Sequence, residues 1–133
     1  MNVLLIEDEK LTRISLGNTL RKNGDEVELC ATGVEGLEQI REREWDLVIT
    51  DLRLPETSGM DILEYTRSHQ PDCAVIIITA YATVDTAVES LKMGAYDYLT
   101  KPFEPDKLLQ TVEHIRQFRQ VRSEERRVGK ECI

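Results

Sequence analysis

The stretch DLVITDLRLPETSG, residues 46–59, decides the fold. Leu47, Val48 and Ile49 form a short apolar run with no polar alternation, and Asp51 follows where such a run should pass from strand into loop. A strand apolar on both sides belongs in a parallel sheet covered on both faces. The same pattern recurs outward from this stretch. Apolar runs at 3–6, 27–30, 47–50, 74–79 and 96–99 alternate with amphipathic segments of helix length. The expected fold class is therefore α/β: five βα units forming one doubly wound, parallel, five-stranded sheet.

The helices carry their own punctuation. Val84, Ala87, Val88 and Leu91 fall at i, i+3, i+4 and i+7, and Gly94 follows as a stop. Pro105 suits a first helical position, with Leu108, Leu109, Val112 and Ile115 as an apolar stripe behind it. Asp8, Thr32 and Ser58 are of N-cap type before the first three helices. Trp45 reads as packing, and His69 and His114 as surface helix residues.

The 133 residues suit one domain. No apolar run approaches the roughly 18 residues of a membrane span and no basic leader precedes the first strand, so a cytoplasmic protein away from the membrane is expected. Cys30, Cys73 and Cys132 lack metal-ligand spacing and read as free thiols. Residues 1–115 hold 11 Lys/Arg against 22 Asp/Glu, whereas residues 116–133 hold 6 against 3. The acidic body argues against direct nucleic-acid binding and favours a divalent cation or a basic partner. Residues 121–133 form a basic tail, expected to be non-native or disordered, beyond a domain at 1–120.

Ligands of an open parallel sheet bind outside the carboxyl ends of its strands. In this chain those ends carry Glu7 and Asp8, Asp51, Thr79 and, past the last strand, Lys101. Crowded carboxylates repel unless a cation relieves them, and Mg²⁺ takes one or two carboxylates together with phosphate oxygens. Beside Mg²⁺ and Lys101, Asp51 is placed to act as a nucleophile toward a phosphoryl group, with the Thr79 hydroxyl as a donor to the product.

The segments LLIEDE, VITDLRLPETSGMDIL and IIITAYATVDTAVESLKMGAYDYLTKPF closely resemble the receiver domains of bacterial two-component response regulators. The likeness covers residues 2 to about 120. It is nearest to the N-terminal receivers of nitrogen-regulation-type AAA+ transcription activators. The resemblance implies a flavodoxin-like strand order 2-1-3-4-5. It implies Asp51 as phosphoacceptor, with Lys101 and Thr79 assisting. Metal ligands would be Asp8, Asp51 and the Arg53 backbone carbonyl, with Glu7 acting through water. Thr79 and Tyr98 would be the switch pair, and Arg53 and Tyr81 would modulate phosphoryl lifetime. Lys101-Pro102 is expected to be cis.

Partners implied by the resemblance are a cognate sensor histidine kinase and a second copy in a phosphorylation-favoured homodimer. The switched surface would be helix 4, strand 5 and helix 5, with Val84, Val88, Leu91 and Ala95 near the dimer contact. The AAA+ and DNA-binding output domains would lie beyond this chain. Three other readings fit less well. A haloacid-dehalogenase-type phosphohydrolase needs a second Asp where Arg53 stands. A receiver-like module working unphosphorylated would have no use for the intact site. A nucleotide-binding flavodoxin-like protein needs bare N–H groups where EDEKLTR is acidic.

Overall fold

The computed structural model describes residues 1–131, with side chains described to residue 119; Cys132 lies outside the described residues. Five strands, β1 (Asn2–Ile6), β2 (Glu26–Cys30), β3 (Leu47–Asp51), β4 (Ala74–Thr79) and β5 (Asp97–Thr100), alternate with α1 (Lys10–Lys22), α2 (Gly33–Glu42), α3 (Gly59–His69), α4 (Val84–Lys92) and α5 (Pro105–Glu131). All strand pairs are parallel, in the order β2-β1-β3-β4-β5. This is the expected five-stranded fold, with strand ends shifted by at most one residue. The sheet and α1 to α4 lie in one compact unit, Met1–Phe103, and α5 belongs to a second.

Unbroken apolar runs explain the central strands, since β1, β3 and β4 are buried almost throughout. On one face Leu4, Ile6, Val48, Val75 and Ile77 join Ile40, Ile62 and Leu63 in a continuous core. On the other, Leu5 pairs in register with Leu29, and a Cβ on Gly17 of α1 would meet the Leu29 side chain. Burying a Leu or Ile side chain contributes about 1.5–3 kcal/mol. Edge strand β2 alternates burial, as EVELC predicts. Among the described residues no helix is long and apolar enough to cross a membrane.

Thr32 and Ser58 cap α2 and α3 as read, each accepting from the N–H three residues on. Asp8 does not cap α1. The cap position is Glu9, without a side-chain cap bond, because the loop continues one residue further. Gly94 takes φ 104° just past α4, a left-handed turn that glycine adopts at little cost. The Lys101-Pro102 bond is cis, as expected. The α5 backbone continues to Glu131 through most of the stretch read as a tail, in keeping with the good helix propensity of its Glu, Arg and Lys residues.

At the amino edge of the sheet the strands are fastened by side chains. Asp46, to which composition alone assigns no role, accepts from the Asn2 N–H at 2.7 Å, and its own N–H donates to the Asn2 carbonyl at 3.0 Å. Gln70 Oε1 accepts from Trp45 N–H at 2.8 Å, while its Nε2 donates to the carbonyls of Ile40 and Arg43. Asp25 meets the Met1 ammonium at 3.2 Å. Trp45 is buried, as its packing role requires, and both described cysteines are buried free thiols. His69 and His114 are exposed, although His69 also stacks on Tyr65 at 3.9 Å.

Candidate functional site

Parallel register brings the polar strand ends together. Ile6 lies beside Thr50, Asp51 beside Ile78, and Thr79 beside Thr100, so Glu7, Asp51, Thr79 and Lys101 each leave the sheet at one edge. Lys101 is aimed inward by its backbone N–H, which donates to the Thr79 carbonyl at 2.8 Å. Its ammonium donates to Asp51 Oδ2 at 2.8 Å and also contacts Glu7 Oε1. The other Asp51 oxygen accepts from the Arg53 N–H at 3.1 Å. Asp51 is thus held from both sides, and 7% of it is exposed, which leaves the carboxylate reachable.

Glu7, Asp8 and Asp51 each offer a carboxylate oxygen within 4.8 Å of the others. Glu7 is fully buried and Asp8 exposed, so the deep acid differs in environment from the rim acid. Burial drives the Glu7 carboxyl up to about 7; the Lys101 hydrogen bond opposes this and the neighbouring Asp51 adds to it. For Lys101, burial alone would lower the pKa, but hydrogen bonds to Asp51 and Glu7 outweigh it and the net shift is upward. A half-buried ammonium with two carboxylate partners stays charged. Three hard oxygen donors around a cleft that keeps room for water suit Mg²⁺, which retains waters and needs no protein cage.

The cleft has a volume of about 550 Å³, bordered by Asp8, Asp51, Lys101, Arg53 and Tyr81. The Arg53 guanidinium sits over the Tyr81 ring, 4.2 Å from its centroid, so the two bulky side chains form one wall. The Thr79 hydroxyl is buried and accepts from the Tyr81 N–H at 3.0 Å. Tyr98 is half-buried, and its hydroxyl meets Thr86 Oγ1 at 2.8 Å. On α4, Val84, Val88 and Leu91 are exposed, but Ala95 is buried in the core and is not part of that surface.

Two residues near the site, Arg13 and Thr86, carry no obvious signal in the sequence, and a third, Gly59, carries a weak one. Arg13 donates to the carbonyls of Glu7 and Asp8. Thr86 serves both the α4 cap and Tyr98. Gly59 packs so closely that a Cβ there would lie 2.4 Å from the Asp51 carbonyl oxygen. A glycine directly after the Ser58 cap is the one such feature readable in advance, as a place of close backbone approach.

Known proteins resemble this chain in sequence and fold. The transcriptional regulatory protein ZraR of Klebsiella oxytoca is 41% identical over 112 residues, which is 84% of this chain and 25% of that protein. The chain therefore spans about a quarter of the length of that relative. A response regulator receiver domain protein from Clostridium thermocellum superposes with TM-score 0.85 at 33% identity, covering 90% of this chain and 97% of the other. The beryllofluoride-activated NtrC4 receiver domain dimer gives TM-score 0.81 at 32% identity, covering 86% and 94%. The sequence signature of the response regulator receiver domain matches residues 3–113, which span every strand and the whole acidic edge. With that match added to the strand order and the shared structures, the chain belongs to the response regulator receiver domain family.

Proposed function

We propose that Asp51 is the phosphoacceptor of this receiver domain and that a cognate sensor histidine kinase supplies the phosphoryl group. The observation that carries this reading is the Lys101 ammonium bonded to Asp51 and Glu7 beside Asp8. An Asp51 oxygen bonds to phosphorus as the P–N bond of the kinase's phosphohistidine breaks and the imidazole leaves. Asp8, Asp51 and the Arg53 carbonyl would hold Mg²⁺, with Glu7 acting through water, and the bound ion would supply positive charge to offset that on the phosphoryl oxygens. Lys101 stays charged and offsets the remainder. The chain is a signalling domain that promotes only its own phosphorylation and dephosphorylation, and it works in the cytoplasm.

The phosphate then draws on Thr79. Its hydroxyl accepts from Tyr81 N–H in the present state and has a proton to give a phosphoryl oxygen. Movement of Thr79 toward the phosphate frees space for Tyr98, which exchanges its Thr86 contact for a more buried position. The α4 and β5 surface shifts population accordingly, and exposed Val84, Val88 and Leu91 then favour a homodimer. Residues 1–120 form the working unit, and output through AAA+ and DNA-binding domains belongs to a longer regulator.

The test is the intact mass of the protein after acetyl phosphate and Mg²⁺, beside Asp51→Asn and an EDTA control. One phosphoryl adduct, absent from both controls, is the expected result. A folded, Mg²⁺-binding protein that gains no adduct would instead point to a module that works unphosphorylated.

A further inference from the structure

We infer that Arg13 is a positioning residue for the divalent cation: its guanidinium clamps the loop that presents Glu7 and Asp8. The inference rests on the Mg²⁺ reading above and concerns how this chain holds its acidic pair in place. The entries to α2, α3 and α4 are each fixed by a side-chain cap from Thr32, Ser58 or Thr83. By contrast, α1 starts behind Glu9 with no side-chain cap bond and no acidic residue in its first turn. The loop with the greatest need of precision lacks the device used at the other three.

Arg13 supplies a different one. It lies in the first turn of α1, with its N–H donating to the Glu9 carbonyl at 2.9 Å, and its side chain turns back toward β1. A single nitrogen, Nη1, donates to the Glu7 carbonyl at 2.9 Å and to the Asp8 carbonyl at 3.3 Å. Gripping two consecutive carbonyls fixes the peptide units on either side of Asp8, and hence the direction in which its carboxylate leaves the chain. Charged donors make the stronger class of hydrogen bond, and a guanidinium is stiff enough to hold a geometry. Mg²⁺ tolerates little departure from octahedral geometry, so groups that orient its ligands affect affinity without touching it.

The guanidinium is also a positive charge near a cation site. Were charge its only influence, removing it would relieve repulsion and tighten Mg²⁺ binding. A clamp predicts the opposite sign, which makes the two roles separable by one titration.

The experiment is a calorimetric Mg²⁺ titration of the wild type, Arg13→Ala and Arg13→Lys, with acetyl phosphate labelling at saturating Mg²⁺ for each. Arg13→Ala should bind Mg²⁺ about tenfold more weakly, the lower end of the loss seen for residues that orient metal ligands. Arg13→Lys, which keeps the charge and one donor nitrogen, should recover part of that loss, and labelling should return to the wild-type extent once Mg²⁺ saturates. Equal or tighter binding by Arg13→Ala overturns the clamp. If Arg13→Ala does not fold, an unchanged affinity in Arg13→Lys overturns it as well. A wild type that binds no Mg²⁺ overturns the metal reading itself, an outcome distinct from failure of the clamp.

Discussion

Replacing Gly59 by alanine should damage stability and chemistry together, because the glycine is pressed against the backbone of Asp51, the proposed phosphoacceptor. Its N–H donates to the Leu52 carbonyl at 2.8 Å, and a Cβ added there would lie 2.4 Å from the Asp51 carbonyl oxygen and 2.8 Å from Leu52 Cα. Ordinary contact begins at 3.4 Å, so β3 and α3 must part by about 1 Å. Neither obstacle is a side-chain tip that can rotate away. Overpacking of this kind costs about 1–3 kcal/mol, against which Gly→Ala in a helix returns about 0.5–1 kcal/mol. The two ranges bound the net loss at about 0–2.5 kcal/mol, and with backbone atoms as both obstacles the upper half of the overpacking range applies, leaving about 1–2 kcal/mol. Gly17→Ala is the matched control, since the three atoms nearest its Cβ all belong to the Leu29 side chain, the closest at 2.9 Å, and that tip can turn. Urea unfolding should show a midpoint about 0.5–1.5 M lower for Gly59→Ala at unchanged slope, with Gly17→Ala near or above the wild type. Labelling by acetyl phosphate should slow in Gly59→Ala only. Equal midpoints for the two variants, or full-rate labelling in Gly59→Ala, would refute the reasoning.

The remaining expectations concern charge, access and burial. Lys101→Met should cost about 2–4 kcal/mol in EDTA, because Glu7 is left buried beside Asp51 without its cation, and Mg²⁺ should restore part of that loss; denaturation with and without Mg²⁺ measures it, and an equal cost in both conditions contradicts it. Arg53 and Tyr81 wall the cleft, so Arg53→Ala and Tyr81→Ala should each shorten the phosphoryl lifetime severalfold by admitting water, read from the decay of the mass adduct. A lifetime unchanged in both variants removes the stacked wall from the mechanism. Burial, reinforced by Glu35 and Glu28, pushes the Cys30 thiol up to about 12 from an ordinary 9.0. Because the folded value is the higher one, this contribution to stability is complete below pH 9 and fades as pH climbs toward 12. Cys30 should therefore resist iodoacetamide at pH 8 until the protein is unfolded, which peptide mapping after brief alkylation would show.

Much of the fold is legible because it depends on local pattern. The runs around Leu47 and Ile76 are apolar on both faces, which only a covered parallel sheet accommodates, and Thr32 and Ser58 cap helices through contacts three residues long. The gathering of Glu7, Asp51, Thr79 and Lys101 follows from strand ends meeting at one edge. What sequence misses depends on distance through space. Nothing in local pattern says that Asp46 will receive the Asn2 N–H 44 residues away, or that Tyr98 will meet Thr86 across the turn from α4 to β5. Asp8 and Glu9 are both plausible first-turn neighbours, and which one stands at the cap is decided by loop length rather than residue type. Ala95 continues the spacing of the exposed α4 residues but lies past the Gly94 turn, which carries it into the core.

The fastening at the amino edge has a mechanical consequence. Asn2 and Asp46 exchange two bonds there, and one Gln70 amide ties α2 to the start of β3, so the sheet is gripped at one end like a cantilever. A slip of β3 by one residue would break all these ties at once and turn every side chain of the strand to the opposite face. The opposite end carries the acidic loop, Asp51 and Thr79, tied to one another through Lys101. On the function proposed above, charge arriving there would move loops through small angles while the root keeps β3 in register.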